Sequence, residues 1–145
     1  MTIYVENDIS CNFSGDLKLD QKGDIALATS LDTYRGVANF ILRTDLGDYV
    51  PNPLVGSNLG AYMGIQNNRD THEHMEVDIL RALTANVFSP AEVSADVLPL
   101  SLEAAACFVG IAGSYLISGQ LVDVHQSIMA YAFPYMEGEP TPITI

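Results

Sequence analysis

Residues 31–49 read LDTYRGVANFILRTDLGDY, and this stretch indicates a helix followed by a loop. Its apolar residues recur three and four positions apart, which is the spacing of one face of an α-helix. The sequence therefore predicts an amphipathic helix of about 14 residues, capped by Ser30. The residues of its apolar face are Leu31, Tyr34, Val37, Ala38, Ile41 and Leu42.

The end of the same stretch predicts a loop of fixed shape. Residues 44–48 stop the helix, and Gly47 supplies the left-handed conformation that helix ends commonly use. Pro51 and Pro53 then prevent the helix from resuming. Beyond this loop, the spacing of Gly56, Gly60 and Gly64 fits either a short helix with close backbone approach or a turn region loosened by glycine.

A second helix is predicted to start at Asp70 or Thr71 and to stop near Asn86. Its apolar stripe consists of Met75, Ile79, Leu80 and Leu83. The sequence Ser-Pro-Ala-Glu at 89–92 has the form of a capping box with proline at the first helical position, which predicts one further helical turn.

The last third of the chain is predicted to form β-strands. Residues 93–102 alternate as a strand with a bulge or sheet edge at Pro99, and residues 106–117 form a strand that turns at 118–120. A helix over 103–110 is the alternative for the alanine-rich part. Residues 127–135 alternate with apolar side chains on both faces, so helices cover one face and the aromatic face is available to another partner.

The start of the chain reads as a lead-in followed by a β-hairpin, with turns at residues 14–16 and 22–24. The sequence gives no sign of an internal repeat or of a dividing linker. We therefore expect one domain over residues 1–145, with a lead-in arm at 1–20 and an extended tail at 137–145. The predicted fold class is α+β, with two main amphipathic helices packed on an antiparallel β-sheet.

The charge balance limits the possible partners. The chain has 18 acidic and 6 basic residues and a net charge of -12, which repels nucleic acid and anionic lipid head groups. An acidic surface of this kind either keeps the protein soluble or meets a basic partner. Neither a nucleic acid nor a membrane is therefore an expected partner.

The two cysteines, Cys11 and Cys107, are far apart and form no CxxC motif. They provide neither a zinc site nor a disulfide framework, so free thiols and a reducing compartment are expected. The first residues are acidic where a signal peptide would be basic, and the chain lacks an apolar run of the roughly 20 residues that a membrane span needs.

Residues with catalytic or metal-binding chemistry are sparse. His72 and His74 are two positions apart, so on a helix they point in different directions and cannot share a metal ion. Glu103 precedes three alanines, but a strand-end glutamate that faces water is the expected role, and a glycosidase needs a second carboxylate. His125 is expected to be structural. The sequence therefore predicts no enzyme activity, no metal and no cofactor.

One part of the sequence resembles a known family. It is Leu31–Tyr34, then Ala38–Tyr49, preceded by Gly23-Asp24-Ile25 and followed by Pro53–Leu59. The shared pattern is an aspartate-bearing lead-in, an amphipathic helix ending in Leu-x-Thr, a Leu-Gly-acid turn, and a glycine loop that opens a short helix. This pattern resembles the lysozyme-like baseplate wedge family of phage contractile tails, to which the phage protein W also belongs. The resemblance spans most of residues 20–135 and is looser beyond the first helix.

The resemblance implies a structural, non-enzymatic subunit of a virion. It implies several copies at the sheath-proximal end of the tail, assembled in the host cytoplasm and packed against other baseplate and tail proteins. The chain departs from the family where a Glu-Pro-Arg docking loop is common, because Asp48–Pro51 contains no arginine. The carboxy-terminal hairpin is also longer. Two rivals are a tail-associated cell-wall hydrolase and a free cytosolic binding module.

If the chain acts by protein–protein contact, two segments are expected to carry that contact. The first is the loop after the first helix, which is fixed in shape before binding. The second is the last strand, whose aromatic residues either bind a partner or fill the domain's own core. The candidate partner-binding residues are Leu46, Asp48, Tyr49, Pro51, Tyr131, Phe133 and Tyr135.

Overall fold

The computed structural model describes residues 2–12, 16–62 and 64–134, together with the backbone of 141–143. Within them lie two α-helices, α1 (Ser30–Arg43) and α2 (Arg69–Thr84), and a mostly antiparallel sheet. The predicted mixture of helices with a largely antiparallel sheet is confirmed. None of the helices in these ranges is long and apolar enough to cross a membrane.

Helix α1 has the predicted length and apolar face, but its cap is one residue earlier than predicted. Thr29 is the N-cap, and its side chain accepts a hydrogen bond from the Asp32 amide at 3.2 Å. Ser30 is instead a fully buried first helical residue whose hydroxyl donates to the Tyr4 carbonyl. Tertiary contact therefore decides which of two adjacent hydroxyl residues caps the helix.

Helix α2 begins one or two residues before the predicted start and ends two residues before the predicted stop. Asn68 caps it by accepting a hydrogen bond from the Thr71 amide at 3.0 Å, so the prediction of Asp70 or Thr71 as cap was wrong. The predicted stripe is confirmed at Met75, Ile79 and Leu83, which are fully buried.

The helical turn predicted after α2 is present as a short 3-10 helix, Pro90–Glu92. Ser89 makes no side-chain cap, however, so the predicted capping box is absent. The Glu92 carboxylate instead accepts hydrogen bonds from the Thr2 amide and the Tyr4 hydroxyl. Glu92 thereby holds strand β1 (Ile3–Tyr4) against the sheet.

The centre of the sheet is β3 (Ala104–Ile117). Antiparallel partners on either side of it are β2 (Val93–Ser101) and β4 (Gln120–Pro134), and β5 (Thr141–Ile143) pairs with β4. Strand β1 lies parallel to the end of β3, so the sheet is mixed rather than purely antiparallel. The alternative helix over 103–110 is wrong, because its alanines form the start of β3.

Two local predictions for these strands are confirmed. The pairing of β2 with β3 shifts register between Pro99 and Ser101, where a bulge or edge was expected. Strands β3 and β4 are joined through Ser118 and Gly119, both with positive φ, which is the geometry of a type I′ hairpin turn.

The hydrophobic core contains buried side chains of both helices and of β2, β3 and β4 in one cluster. Alternate residues of the strands contribute to it, since successive side chains point to opposite faces. Its largest fully buried members are Tyr115, Tyr131, Phe133, Ile41, Met75, Ile79 and Leu83.

The start of the chain forms a larger paired structure than the predicted hairpin. Three five-residue segments at 8–12, 16–20 and 24–28 pair with one another around a closed circuit, which we call the N-terminal ring. The antiparallel bridges are Ile9 with Leu27, Cys11 with Leu17, and Leu19 with Ile25. Only the last of these belongs to the expected hairpin at residues 22–24. The expected turn residues Ser14 and Gly15 lie outside the described residues.

Hydrogen bonds in the ring repeat with an approximate threefold pattern. One set runs from the amides of Asn12, Asp20 and Ala28 to the carbonyls of Asp16, Asp24 and Asp8, each at 2.8 Å. A second set runs in the opposite sense, from the amides of Ser10, Lys18 and Ala26 to the carbonyls of Ala26, Ser10 and Lys18. Each segment therefore pairs with both of the others.

This ring overturns the prediction that the chain has no internal repeat. Its segments DISCN, DLKLD and DIALA begin at residues 8, 16 and 24, an interval of eight residues. Each starts with aspartate and carries apolar or cysteine residues at its second and fourth positions. The repeat is only three units long and its other positions vary, so its signal in the sequence is weak.

Candidate interaction site

The loop after α1 is attached to the helix end by hydrogen bonds. The Ser57 hydroxyl donates to the Leu42 carbonyl at 2.9 Å, and the Ser57 amide donates to the Thr44 carbonyl at 2.8 Å. The Thr44 hydroxyl donates to the Phe40 carbonyl at 2.7 Å. These bonds satisfy carbonyls that a helix end otherwise leaves without partners. The two ends of the loop are therefore held together.

Gly56 permits this close approach. Its φ is 141°, a value that disfavours any residue with a side chain, and an added Cβ would lie 2.8 Å from the Thr44 carbonyl oxygen. The glycine-rich region beyond the loop also contains a short 3-10 helix, Leu59–Tyr62. Of the two predicted alternatives, the short helix with close backbone approach is therefore correct.

Gly47 has the predicted positive φ, of 94°, but not the predicted role. Helix α1 ends at Arg43. The extended residue that follows it, Thr44, lies three residues before Gly47. The Gly47 amide donates across the loop to the Pro53 carbonyl at 3.0 Å. Gly47 therefore shapes the interior of the loop rather than the end of the helix.

The predicted contact residues of the loop are on its surface. Leu46, Asp48 and Pro51 are exposed, and Tyr49 is 38% exposed. The Tyr49 ring lies against Phe40 of α1, with centroids 5.3 Å apart and planes at 84°. Val50 and Leu54 beside it are more exposed still. The loop therefore presents an aromatic pair with apolar neighbours to the outside.

The aromatic residues of the last strand have a different environment. Tyr131 and Phe133 are 1% and 0% exposed and belong to the hydrophobic core. Both faces of β4 carry apolar residues, and the aromatic face is the one that points toward the helices. Neither side chain is accessible to a partner in this fold, which corrects their selection as contact residues. Tyr135 lies outside the described residues.

The N-terminal ring exposes apolar side chains that the sequence reasoning missed. Its inner positions, such as Ser10 and Ala28, are buried, while the apolar residues of its bridges face outward. These exposed residues are Ile9, Leu17, Leu19, Ile25 and Leu27, with Cys11 among them. The signal that could have found them is the eight-residue repeat.

A groove of about 820 Å³ separates the ring from α1. Ile9, Cys11 and Lys18 line it from the ring, and Arg35, Phe40 and Arg43 line it from the helix. Because Phe40 also contacts Tyr49, the loop, the groove and the ring form one continuous surface, which we call the ring–loop surface.

The two arginines of the groove influence the phenol of Tyr131 in the core beneath. Burial raises the pKa of Tyr131, and the positive charges of Arg43 and Arg35 act in the opposite direction. The two positive charges therefore favour the ionised form of this phenol, against the effect of burial.

The thiols of the chain have the expected free state and contrasting environments. Cys11 is exposed and Cys107 is buried, and neither forms a disulfide. Burial raises the pKa of Cys107 to about 12, and the charge of Glu76 adds to the effect. The groove residue Cys11 is therefore the more accessible of the two thiols.

The residues considered for chemistry do not form a reactive cluster. His72 is buried and hydrogen-bonded to Asn67, whereas His74 is exposed on another face of α2. Glu103 is exposed in the turn between β2 and β3. No group of three or more metal-ligating side chains occurs within the described ranges.

Comparison with known proteins gave no match to a family model, to a curated protein or to a solved structure.

Proposed function

We propose that the chain is a structural subunit of the baseplate of a phage or phage-like contractile tail. It binds neighbouring baseplate and tail proteins near the tube and sheath, in several copies per particle. The observation that carries this proposal is the ring–loop surface. Its exposed apolar residues are concentrated in the N-terminal ring and in the loop after α1, whose backbones are held by hydrogen bonds. The resemblance described above supports the tail as the setting.

The amount of exposed apolar side chain supports a contact function. Single exposed apolar residues are normal on soluble proteins, but contiguous apolar patches indicate interaction sites. On the ring, Leu27 is 78% exposed, and on the loop, Leu54 is 76% exposed. Burial of such residues against a partner releases roughly 25 cal/mol for each Å² of apolar surface.

The fixed shape of the loop supports its use as a docking element. Its ends are joined by the bonds of Ser57, and Gly47 and Asn52 make further backbone bonds within it. A segment that is ordered before binding loses less conformational entropy on docking. Tyr49 lies half-exposed at the centre of the loop. Tyrosine is one of the residue types that most often dominate binding energy.

The resemblance to baseplate wedge proteins falls on this same surface. Among the residues that carry it, residues 38–49 form the end of α1 and the first half of the loop. A tail subunit of net charge -12 fits a basic protein neighbour better than DNA, because like charges repel. This argument favours a partner protein over nucleic acid at the ring–loop surface.

Deletion of the gene in the organism that encodes the chain tests the proposal. Electron microscopy should then show tails that lack a complete baseplate, and wild-type protein supplied in trans should restore them. A matched pair of variants, Leu27→Ser on the ring and Val77→Ser on the exposed side of α2, locates the contact. Only Leu27→Ser should prevent restoration. Normal tails in the deletion strain would refute the proposed function.

A further inference from the structure

The outward side chains of the N-terminal ring belong to three cross-strand pairs. The Ile9–Leu27 bridge, for example, lies between two backbone hydrogen bonds of 2.8 Å that join the residues on either side of it. The other two bridges have the same arrangement, in which opposed side chains lie close together on one side of the backbone. Six neighbouring side chains therefore share one face, which we call the ring face. They are Ile9, Cys11, Leu17, Leu19, Ile25 and Leu27.

The ring face is exposed, although all its members but Cys11 are aliphatic. These five side chains are between 46% and 78% exposed, and Cys11 is exposed as well. Positions on the other side of the ring include Ser10 and Ala28, which are buried, so the ring turns that side toward the domain. Contiguous apolar exposure of this kind indicates an interaction site.

The ring face offers a partner apolar side chains rather than backbone groups. The hydrogen bonds of the three segments join backbone atoms within the ring, and the side chains at alternate positions stand out from it. An extended strand laid across such a face would bury its own N–H and C=O groups without partners, which costs free energy. An α-helix satisfies these groups internally. The face therefore suits the apolar stripe of an amphipathic helix.

Acidic residues adjoin the ring face along the chain. Asp8, Asp16 and Asp24 each directly precede a member of the face, and all three are exposed. Neighbouring Cα atoms are about 3.8 Å apart, well within the Debye length of about 8 Å at physiological salt, so these charges act at the face whatever their rotamers. Asp8 and Asp20 accept hydrogen bonds from backbone amides, which leaves their charges in place.

The charges of the whole ring region sum to a negative value. Residues 2–12 and 16–28 contain five acidic and two basic residues, a net charge of -3. The acidic ones are Glu6, Asp8, Asp16, Asp20 and Asp24, and the basic ones are Lys18 and Lys22. A partner with positive charges beside its apolar residues would therefore match the ring face in both polarity and charge.

We propose that the ring face binds a basic amphipathic helix of a neighbouring protein. The apolar stripe of that helix covers the six side chains of the face, and its flanking lysines and arginines lie in the negative potential of the ring. This inference rests on the proposed function and specifies the chemistry of one partner.

Other occupants suit the ring face less well. In a dimer through this face, two rings of net charge -3 would meet on chains of net charge -12, so the two copies would repel each other. Nucleic acids and anionic membrane surfaces carry the same sign of charge as the ring. Of these occupants, only a basic protein segment is favoured by both the apolar side chains and the charge.

Peptide display against the purified full-length chain tests this inference. A random library of 18-residue peptides should yield binders with positive net charge and with apolar residues three and four apart, as on one face of a helix. Replacing the lysines and arginines of the best binder by glutamine should weaken its binding roughly tenfold or more. Replacing one central residue outside its apolar stripe by proline should have a similar effect, because proline breaks a helix.

A matched pair of double variants assigns the binding to the ring face. Leu17→Ser with Leu27→Ser should weaken the peptide roughly tenfold or more, because both side chains belong to the face. Val77→Ser with Leu102→Ser replaces apolar residues of similar or greater exposure elsewhere, and should change binding less than twofold. Thermal unfolding checks that each variant is folded.

A second pair of variants tests the role of charge. Asp16→Asn with Asp24→Asn leaves in place the backbone carbonyls that these residues contribute to the ring, and should weaken the peptide about fivefold. Asp96→Asn with Glu103→Gln removes equal charge from exposed positions of the sheet and its β2–β3 turn, and should change binding less than twofold.

Chemical labelling tests the face without altering the sequence. A bulky maleimide on Cys11 should block the peptide, because Cys11 is a member of the ring face and Cys107 is buried. The same treatment of Cys11→Ser should leave binding unchanged. This measurement decides the matter if a ring variant does not fold.

Four outcomes would overturn the inference. They are a failure to enrich peptides, enrichment of neutral or acidic peptides, insensitivity to the proline replacement, and equal losses in Leu17→Ser with Leu27→Ser and in its control. Sedimentation showing a dimer that Leu17→Ser with Leu27→Ser abolishes would assign the face to a second copy instead. None of these results bears on tail assembly, which the gene deletion tests separately.

Discussion

At the residue scale, aromatic residues that look equivalent in the sequence differ in how deeply they are buried. Tyr49 and Tyr131 were both candidates for partner contact, yet one lies on the loop surface and the other in the core. The alternating pattern of β4 has apolar residues on both faces, so it does not indicate which face lies beneath the helices. Only the packing of the helices decides this.

Substitution of these two tyrosines should therefore have opposite consequences. Tyr131→Ala should cost about 3–5 kcal/mol of unfolding free energy, as large core truncations do. Tyr49→Ala should cost less than about 1 kcal/mol, because its ring is half-exposed, yet it should prevent incorporation into particles. Urea denaturation of both variants measures the first effect. A large loss of stability in Tyr49→Ala would place its side chain in the core.

A pair of glycines tests the account of the loop. Gly56→Ala should be strongly destabilising, since its φ is positive and the new Cβ would meet the Thr44 carbonyl. Gly36 lies in α1 with open space around an added Cβ, so Gly36→Ala should instead stabilise the protein by up to about 1 kcal/mol. Thermal unfolding measures the stability of both variants. Equal effects of the two substitutions would contradict the close approach at Gly56.

The thiols provide a third test at this scale. A disulfide-exchange reagent at pH 8 should label one thiol quickly, at Cys11, and the second only after unfolding. The reason is that burial holds the pKa of Cys107 near 12, far above the pH of the reaction, so the reactive thiolate is scarce. Two fast thiols in the folded protein, or a mass two hydrogens short, would contradict this.

At the element scale, the helices and the hairpin of β3 and β4 were predictable from the sequence, and the ring was not. Helical periodicity over 14 to 16 residues identifies α1 and α2, although their caps depend on tertiary contacts such as that of Ser30 with Tyr4. The ring's segments are short and expose their apolar residues, so local pattern does not reveal that they pair in a circuit. The loop was predictable because proline and glycine constrain its backbone.

Asp20 is expected to be important for ring closure. Its carboxylate accepts hydrogen bonds from the Lys22 and Asp24 amides, at 2.8 and 3.0 Å, and so fixes one corner. Asp20→Ala should lower the hydrogen-exchange protection of the ring amides of Ala26 and Ala28, while the amides of α2 keep theirs.

Asp16→Ala is the matched control, because Asp16 contributes a backbone carbonyl to the ring and its substitution leaves that carbonyl in place. Unchanged protection in Asp20→Ala, or an equal loss in Asp16→Ala, would show that the corner does not depend on this carboxylate.

At the scale of the whole molecule, the features that could support catalysis are dispersed. Glu103 is exposed at one end of the sheet, and His72 is bonded to Asn67 at the start of α2. We expect the purified chain to release no fragments from peptidoglycan, and Glu103→Gln to behave identically. Turnover that Glu103→Gln abolishes would instead establish the hydrolase rival.

The proposed function places the chain inside a tail particle, where it works by protein contact. Quantitative mass spectrometry of gradient-purified particles, from cells that express the chain at its natural level, is the most direct test. We expect the chain to co-sediment with tail proteins in several copies per particle, at a ratio that does not vary between preparations. Its absence from particles, with recovery only as a free protein, would rule out this function.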